Sequence, residues 1–508
     1  MNKEKIRLNG SYLRAYIGLV IFSLVYVLPI IIANFYYIDD LGRSLEGNTG
    51  WKGNGRPLAD WVAIILSDGK PLMDVSPWIQ ILSVVTLDYV LILFVKKLIP
   101  MASAFQLFIV ASFAYLNLFM LENLSYKFDS FGMIVSLGIF LLLYSLPDKN
   151  VNRKFLCLSS SLAVLLSLSI YQASVGAYIS LAVLEVIYFL YQKSMWRDIM
   201  ERVALRVLGI LTGGLVYKLI IANRYVDKHG YSAEHSSFLN PFSSADVSIL
   251  IDNLASFGNM FRDYGLTLGV LGILLLLVLY IGLGIIAKSI WRNREDTFSV
   301  KVITIFFLMI SPVVFLLAAV AFLAMLRAPI FAPRVMMSFT VFTLFTGLVI
   351  YYLSESGGWL GEKTFFTLGV LVLVGMLSFS SYYGNLLTRQ EKINSLVATF
   401  LVYDINEVEQ NKGHKAEKLA FVGHSPKCKE LLLANKKRPL YDRLIPVYMN
   451  NGWIWGSVYL EHLKKEAIKF EPEADDRDYT NSIKPVKTNE YYELYWRGDK
   501  LIAKFMGS

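Results

Sequence analysis

Charge is scarce in this sequence: only 18% of its 508 residues are Asp, Glu, Lys or Arg, against 55% hydrophobic, and the mean hydropathy is +0.49. A soluble domain of that balance would lack the polar surface to cover its core. Cysteine is nearly absent. Cys157 lies in an apolar block and Cys428 in the polar C-terminal part, which excludes a disulfide framework and gives redox chemistry no footing. The five histidines (229, 235, 414, 424, 462) all fall in one long loop or the tail. His229, Glu234 and His235 match no metal-ligand spacing, so a divalent metal stays open without a pattern to support it and no cofactor is called for. No internal repeat, low-complexity run or cleavable signal is found; the first apolar block, Ala15 to Phe35, has the length of a full span.

What is present is a series of apolar blocks of membrane-crossing length, for which roughly 20 residues suffice. Eleven spans are expected, at about 15–35, 77–95, 101–121, 131–146, 155–170, 174–192, 203–222, 266–287, 302–324, 337–353 and 364–384. The alternate connections differ in charge. One set carries eighteen Lys and Arg in short segments, the other ten in longer loops. The net charge of +9 is therefore an orientation signal and no nucleic-acid footprint, and it puts the N-terminus in the cytoplasm. An odd span count then puts the tail on the outer face.

The fold expected is an all-α polytopic membrane protein, residues 1–384, followed by a small α/β domain, residues 385–508, on the periplasmic side. From Arg389 onward 20 basic and 17 acidic residues are mixed as on a solvated surface. Asn385 to about Glu409 continues the last span as a helix, Leu419–Gly423 reads as a strand, and Tyr491–Phe505 as a hairpin turning at Gly498-Asp499.

The outer loops hold the candidate chemistry. The first contains Tyr36-Tyr37-Ile38-Asp39-Asp40-Leu41-Gly42-Arg43-Ser44, Trp51, and Gly55-Arg56-Pro57-Leu58-Ala59-Asp60-Trp61. Two carboxylates at the membrane interface followed by two arginines suit a transferase acting on a lipid-phosphate sugar, which needs a base for the acceptor hydroxyl and cations for the leaving phosphate. Asp40 could equally be the N-cap of a following helix. Asp39 has no such capping role, which makes it the better base candidate. Pro57–Leu66 reads as a short interfacial helix anchored by Trp61. The second loop, Glu122-Asn123-Leu124-Ser125-Tyr126-Lys127-Phe128-Asp129-Ser130, is dense in polar groups and reads as a site wall or as capping residues. Tyr171-Gln172 marks a tight turn, where Tyr171 is either a site residue or a member of an aromatic belt. Arg327 and Arg334 flank a loop stiffened by Pro329 and Pro333, where an arginine can clamp phosphate with two parallel bonds. Asp88, Glu185 and Lys218 lie within spans; Asp88 and Glu185 fall toward the cytoplasmic half and read as buried pairing groups.

The first-loop run, together with Glu122–Ser130 and Tyr171-Gln172-Ala173-Ser174, resembles the serotype-converting O-antigen glucosyltransferases, integral-membrane enzymes of phage-derived glucosylation clusters. The likeness extends over about residues 10–384. It implies a GT-C type fold and an inverting transfer. The donor would be undecaprenyl-phosphate glucose and the acceptor a sugar of the lipid-linked O-antigen on the periplasmic face of the bacterial inner membrane. An acidic residue of the first loop would be the base, Asp39 or Asp40. Arg43, Arg56, Asn123, Tyr126, Lys127, Asp129, Tyr171, Gln172, Arg327 and Arg334 would bind donor phosphate or substrate. A flippase and a cytoplasmic enzyme that charges the lipid with glucose would be functional partners. Many members carry Asp-Glu where this chain has Asp39-Asp40, so the resemblance does not choose between the two. The competing classes are a flippase of lipid-linked saccharide, which would string charges along a path through the spans, and an acyl- or phosphoethanolamine-type transferase, which would need a catalytic histidine or metal cluster.

Overall fold

The computed structural model describes residues 10–147, 152–226, 235–240, 242–293, 297–464, 466–472 and 483–506. Among the described residues eight helical segments are long and apolar enough to cross a membrane: Gly10–Ala33, Trp78–Leu98, Gln172–Tyr191, Trp196–Tyr225, Val270–Arg292, Phe298–Ala324, Pro333–Ser356 and Gly361–Lys412. The chain is a multi-pass membrane protein. The other three expected spans are shorter helices, Ala104–Leu116, Ser130–Tyr144 and Arg153–Leu168.

The first of those three shows why. Asn117 ends its last turn, donating to the carbonyls of Met336 and Met337 and to Thr340 Oγ1 while accepting from the Phe119 amide. Every residue from 109 to 130 is buried. Broken helix at membrane depth is tolerable where protein, not lipid, surrounds it. The segment Glu122–Ser130, expected as a site wall or as capping residues of an outer loop, is buried along its whole length and forms an interior floor.

Two long helices frame the molecule. The helix Gly358–Lys412 runs 55 residues from the membrane part into the tail without a break, as the expected continuation beyond Asn385 requires. It crosses Gly10–Ala33 so closely that a Cβ on Gly384 would lie 2.5 Å from the Pro29 carbonyl oxygen; glycine permits the approach. The short helix Pro57–Leu66 forms at the expected bounds, with Pro57 in its first turn and Trp61 63% exposed.

The tail folds around one mixed sheet, with β1 Lys418–Val422, β2 Lys469–Phe470, β3 Lys487–Thr488, β4 Tyr492–Arg497 and β5 Lys500–Phe505 in the order β2-β1-β5-β4-β3. β1 pairs in parallel with β2 and β5; β4 and β5 form the expected hairpin, with Arg497 opposite Lys500. The domain docks back onto the membrane part. Arg443 Nε lies 2.8 Å from Asp263 Oδ2, the Leu440 amide donates to Thr267 Oγ1 at 3.1 Å, and Tyr441 donates to the Phe379 carbonyl at 3.0 Å.

Of the charges inside spans, Asp88 accepts from Ser23 (2.6 Å) and Tyr115 (2.7 Å), and Glu185 receives both Nε and Nη2 of Arg206 (3.0 and 2.8 Å). Each is a closed local cluster, as expected of buried pairing groups.

Candidate active site

A cavity of about 2390 Å³ opens between the first loop, the membrane helices and the tail. Its polar floor includes Asp39, Arg43, Arg56, Glu122, Asp129, Tyr171, Gln172 and Arg334. An apolar arm follows Leu168, Ile210, Leu211, Leu215 and Phe322, and the opposite wall comes from the tail, with Trp453, Trp455 and Glu461.

The two first-loop aspartates do different work. Both lie in the first turn of the helix Asp39–Glu46, whose N-cap position is Ile38, so Asp40 is not the N-cap. Asp40 is fully buried and accepts three backbone amides, from Tyr37 (3.1 Å), Lys127 (2.9 Å) and Phe128 (3.3 Å). It ties the first loop to the buried floor. Burial pushes its carboxyl well above the ordinary range, against the pull of the Lys127 and Tyr37 amides. Asp39 faces the cavity, and its carboxylate has no hydrogen-bond or ion-pair partner among the described residues. Burial raises its pKa and Asp129 adds to the rise, while Arg334, Arg43 and Arg56 draw it back down.

Those three arginines are each held differently. Arg334 Nη1 donates to Glu122 Oε1 at 2.7 Å, and its backbone N–H to Oε2 at 2.8 Å. Its carbonyl accepts from Asn123 Nδ2 (3.0 Å) and the Tyr171 hydroxyl (3.3 Å). Arg43 stacks 3.8 Å over Trp51, donating to Asp129 Oδ2 (3.2 Å) and the Thr49 carbonyl (2.7 Å); the Trp51 indole N–H donates to the other Asp129 oxygen. Arg56 lies 4.9 Å over the Tyr171 ring and donates to Gln172 Oε1. Gln172 is fixed in turn by the Asn54 carbonyl (2.8 Å) and Tyr217 (3.1 Å). Tyr217 also donates to the Gly55 carbonyl at 2.9 Å, and Gly55 sits at φ +73°, where a Cβ would meet the Tyr217 hydroxyl at 2.4 Å. Arg43 and Arg334 thus face carboxylates, whereas the hydrogen-bond partner of Arg56 is a neutral amide. Its charge is the least compensated of the three.

Four other sequence candidates lie apart from the cavity surface. Asn123 and Tyr126 are buried behind Arg334, with Asn123 Oδ1 and the Tyr126 hydroxyl lacking a partner among the described residues. Lys127 is buried and held by Asn34 (2.6 Å) and Asp74 (3.0 Å), beside the Tyr36 ring. Arg327 is half exposed and paired with Asp246 at 2.8 Å. Of the histidine-rich loop, His229 and Glu234 lie outside the described residues; His235 Nδ1 contacts the Ala328 carbonyl at 2.5 Å. Among the described residues no three His, Cys, Asp or Glu side chains cluster as metal ligands.

The tail's contribution to the cavity wall was not expected from the sequence. The run Trp453-Ile454-Trp455, two indoles in an otherwise charged domain, was the available signal. Lys218, noticed only as a charge within a span, lies in a π-helical turn, Tyr217–Ala222, on the cavity's edge; such turns recur at functional sites. Chemically, the floor offers the unpaired carboxylate of Asp39 and a set of anchored guanidinium groups, faced by an aromatic wall. That is equipment for deprotonating a hydroxyl beside an anionic leaving group.

Comparison with known proteins fits this equipment. The family model described as Glucosyl transferase GtrII matches residues 28–345, which carry all of the floor residues and stop short of the tail. A protein of Salmonella phage P22, described as an uncharacterized 55.3 kDa protein in the gtrB 5′ region, is 28% identical over 520 residues, spanning 97% of this chain and 98% of its own. No solved structure matches. With the family matched across the first loop, the floor and the arginine loop, the chain belongs to the GtrII glucosyl transferase family.

Proposed function

We propose that the protein moves glucose from undecaprenyl-phosphate glucose to a sugar of the lipid-linked O-antigen on the periplasmic face of the bacterial inner membrane, inverting the anomeric centre. The observation that carries this reading is the unpaired Asp39 carboxylate in a cavity with Arg43, Arg56 and Arg334. Asp39 takes the proton of the acceptor hydroxyl as its oxygen bonds to C1 of glucose. The C1–O bond to phosphate breaks, and the electron pair leaves on the polyprenyl phosphate, where charge grows and cations matter most. Arg56, with its neutral partner, is the first cation to meet that phosphate; Lys218 at the rim adds a second positive charge. The apolar arm beside Leu211 and Leu215 suits the isoprenoid chain, and the indoles of Trp453 and Trp455 suit the acceptor's sugar faces.

On this reading the functional partners are a flippase and a cytoplasmic enzyme that loads the lipid with glucose. A flippase role for this chain itself finds less support, since Asp88 and Glu185 are closed clusters and not stations on a path. The test is transfer in detergent with synthetic polyprenyl-phosphate glucose or a nucleotide sugar, the product read by mass spectrometry. Glucose should pass to acceptor only from the lipid donor. Transfer from the nucleotide sugar alone would overturn the donor assignment.

A further inference from the structure

The candidate base sits on strained backbone. Ile38, immediately before Asp39, has φ +48° and ψ −101°, a conformation a β-branched side chain rarely adopts. Such a residue stays there only when its surroundings hold it. What holds it comes from the tail. The hydroxyl of Tyr448 donates to the Tyr36 carbonyl and accepts from the Ile38 amide at 3.4 Å, bracketing the strained residue. Tyr448 cannot swing away, because its fully buried ring stacks on Phe35 (5.6 Å between centroids), Tyr459 (5.3 Å) and Trp453 (6.0 Å).

The tail grips the other side of Asp39 as well. His462 Nε2 lies 3.2 Å from the Leu41 carbonyl, its ring stacks on Tyr36 at 5.8 Å, and Trp455 packs against Gly42. The Tyr37 hydroxyl donates to the Leu444 carbonyl at 2.8 Å. Residues on both sides of Asp39 are thus pinned by the C-terminal domain, while the Asp39 carboxylate has no bonded partner among the described residues.

We propose that the C-terminal domain positions the base, with Tyr448 as the positioning residue that holds residues 36–38 and so aims Asp39 into the cavity. This rests on Asp39 being the base, as proposed above.

Tyr448→Phe keeps the ring stack and removes both hydroxyl contacts. In the full-length protein, turnover should fall about 10- to 100-fold, the scale of a misplaced reacting group, with the donor KM unchanged. The deciding measurement is a double-mutant cycle with Asp39→Asn. If Tyr448 acts through Asp39, adding Tyr448→Phe to Asp39→Asn costs nothing further. An equal loss in both backgrounds, or normal turnover by Tyr448→Phe, overturns the proposal. Normal turnover by Asp39→Asn removes the base reading itself, and the proposal falls with it. Should Tyr448→Phe fail gel filtration, His462→Ala, which releases the Leu41 carbonyl, is read through the same cycle against the same outcomes.

Discussion

Arg334 and Glu122, 212 residues apart, form a closed pair in which one carboxylate takes both the guanidinium and the backbone N–H of the same arginine. Glu122 is 1% exposed, so the pair is a structural joint as well as part of the cavity floor. Removing the arginine strands a buried charge, a loss of about 3–5 kcal/mol. Arg56 has no such duty. Arg334→Ala should therefore lower thermal stability markedly in detergent, whereas Arg56→Ala should melt near the parent temperature yet use the donor at least about tenfold less well. Thermal unfolding beside donor titration separates the two; full donor use by Arg56→Ala would remove it from the phosphate site.

Asp40 gives a different kind of prediction. Its carboxylate oxygens accept three amides, and an asparagine would point an NH₂ group at one or more of those donors. Asp40→Asn should destabilise the protein by about 1–3 kcal/mol. Its activity should recover when assayed well below its melting temperature. An Asp40→Asn protein of parental stability but no turnover would move the catalytic role from Asp39 to Asp40.

The pH profile should follow the charges around Asp39. The base must be ionised, and burial together with Asp129 raises its pKa from the ordinary aspartate value, so the acid limb of kcat/KM should lie higher than a free aspartate would set it. Arg56→Gln removes a cation that favours the ionised form and should move this acid limb to higher pH. Asp129→Asn removes a like charge and should move it to lower pH. Shifts in one direction for both variants would contradict the electrostatic account.

The contrast between what was readable and what was not follows from distance along the chain. Asp39, Arg43 and Arg56 share one short loop, and the helix Pro57–Leu66 and the β4–β5 hairpin arise from local signals; all were legible. Arg327 and Arg334 look alike in sequence, but Asp246 draws one outward and Glu122 the other inward, and neither partner is nearby in the chain. The stretch 109–130 is apolar like a span, and composition cannot say that protein rather than lipid surrounds it. The tail's mixed charge describes its solvated face; its grip on the first loop depends on single buried side chains such as Tyr448.

Sidedness rests on the asymmetry of Lys and Arg between alternate connections. The tail lines the cavity, so an outer-face cavity requires an outer-face tail. An alkaline phosphatase fused to the C-terminus of the full chain should be active in cells. Activity only from a cytoplasmic reporter at that position would place the site on the wrong side for a periplasmic acceptor.

Asp39→Asn tests the account most directly. The substitution keeps the shape and removes the ability to accept a proton, and no described residue bonds the carboxylate, so folding should be unaffected. Transfer from synthetic polyprenyl-phosphate glucose should drop at least about 10²-fold with donor binding retained. Near-normal turnover by a well-folded Asp39→Asn protein would contradict the assignment of the base and, with it, the mechanism proposed for this cavity.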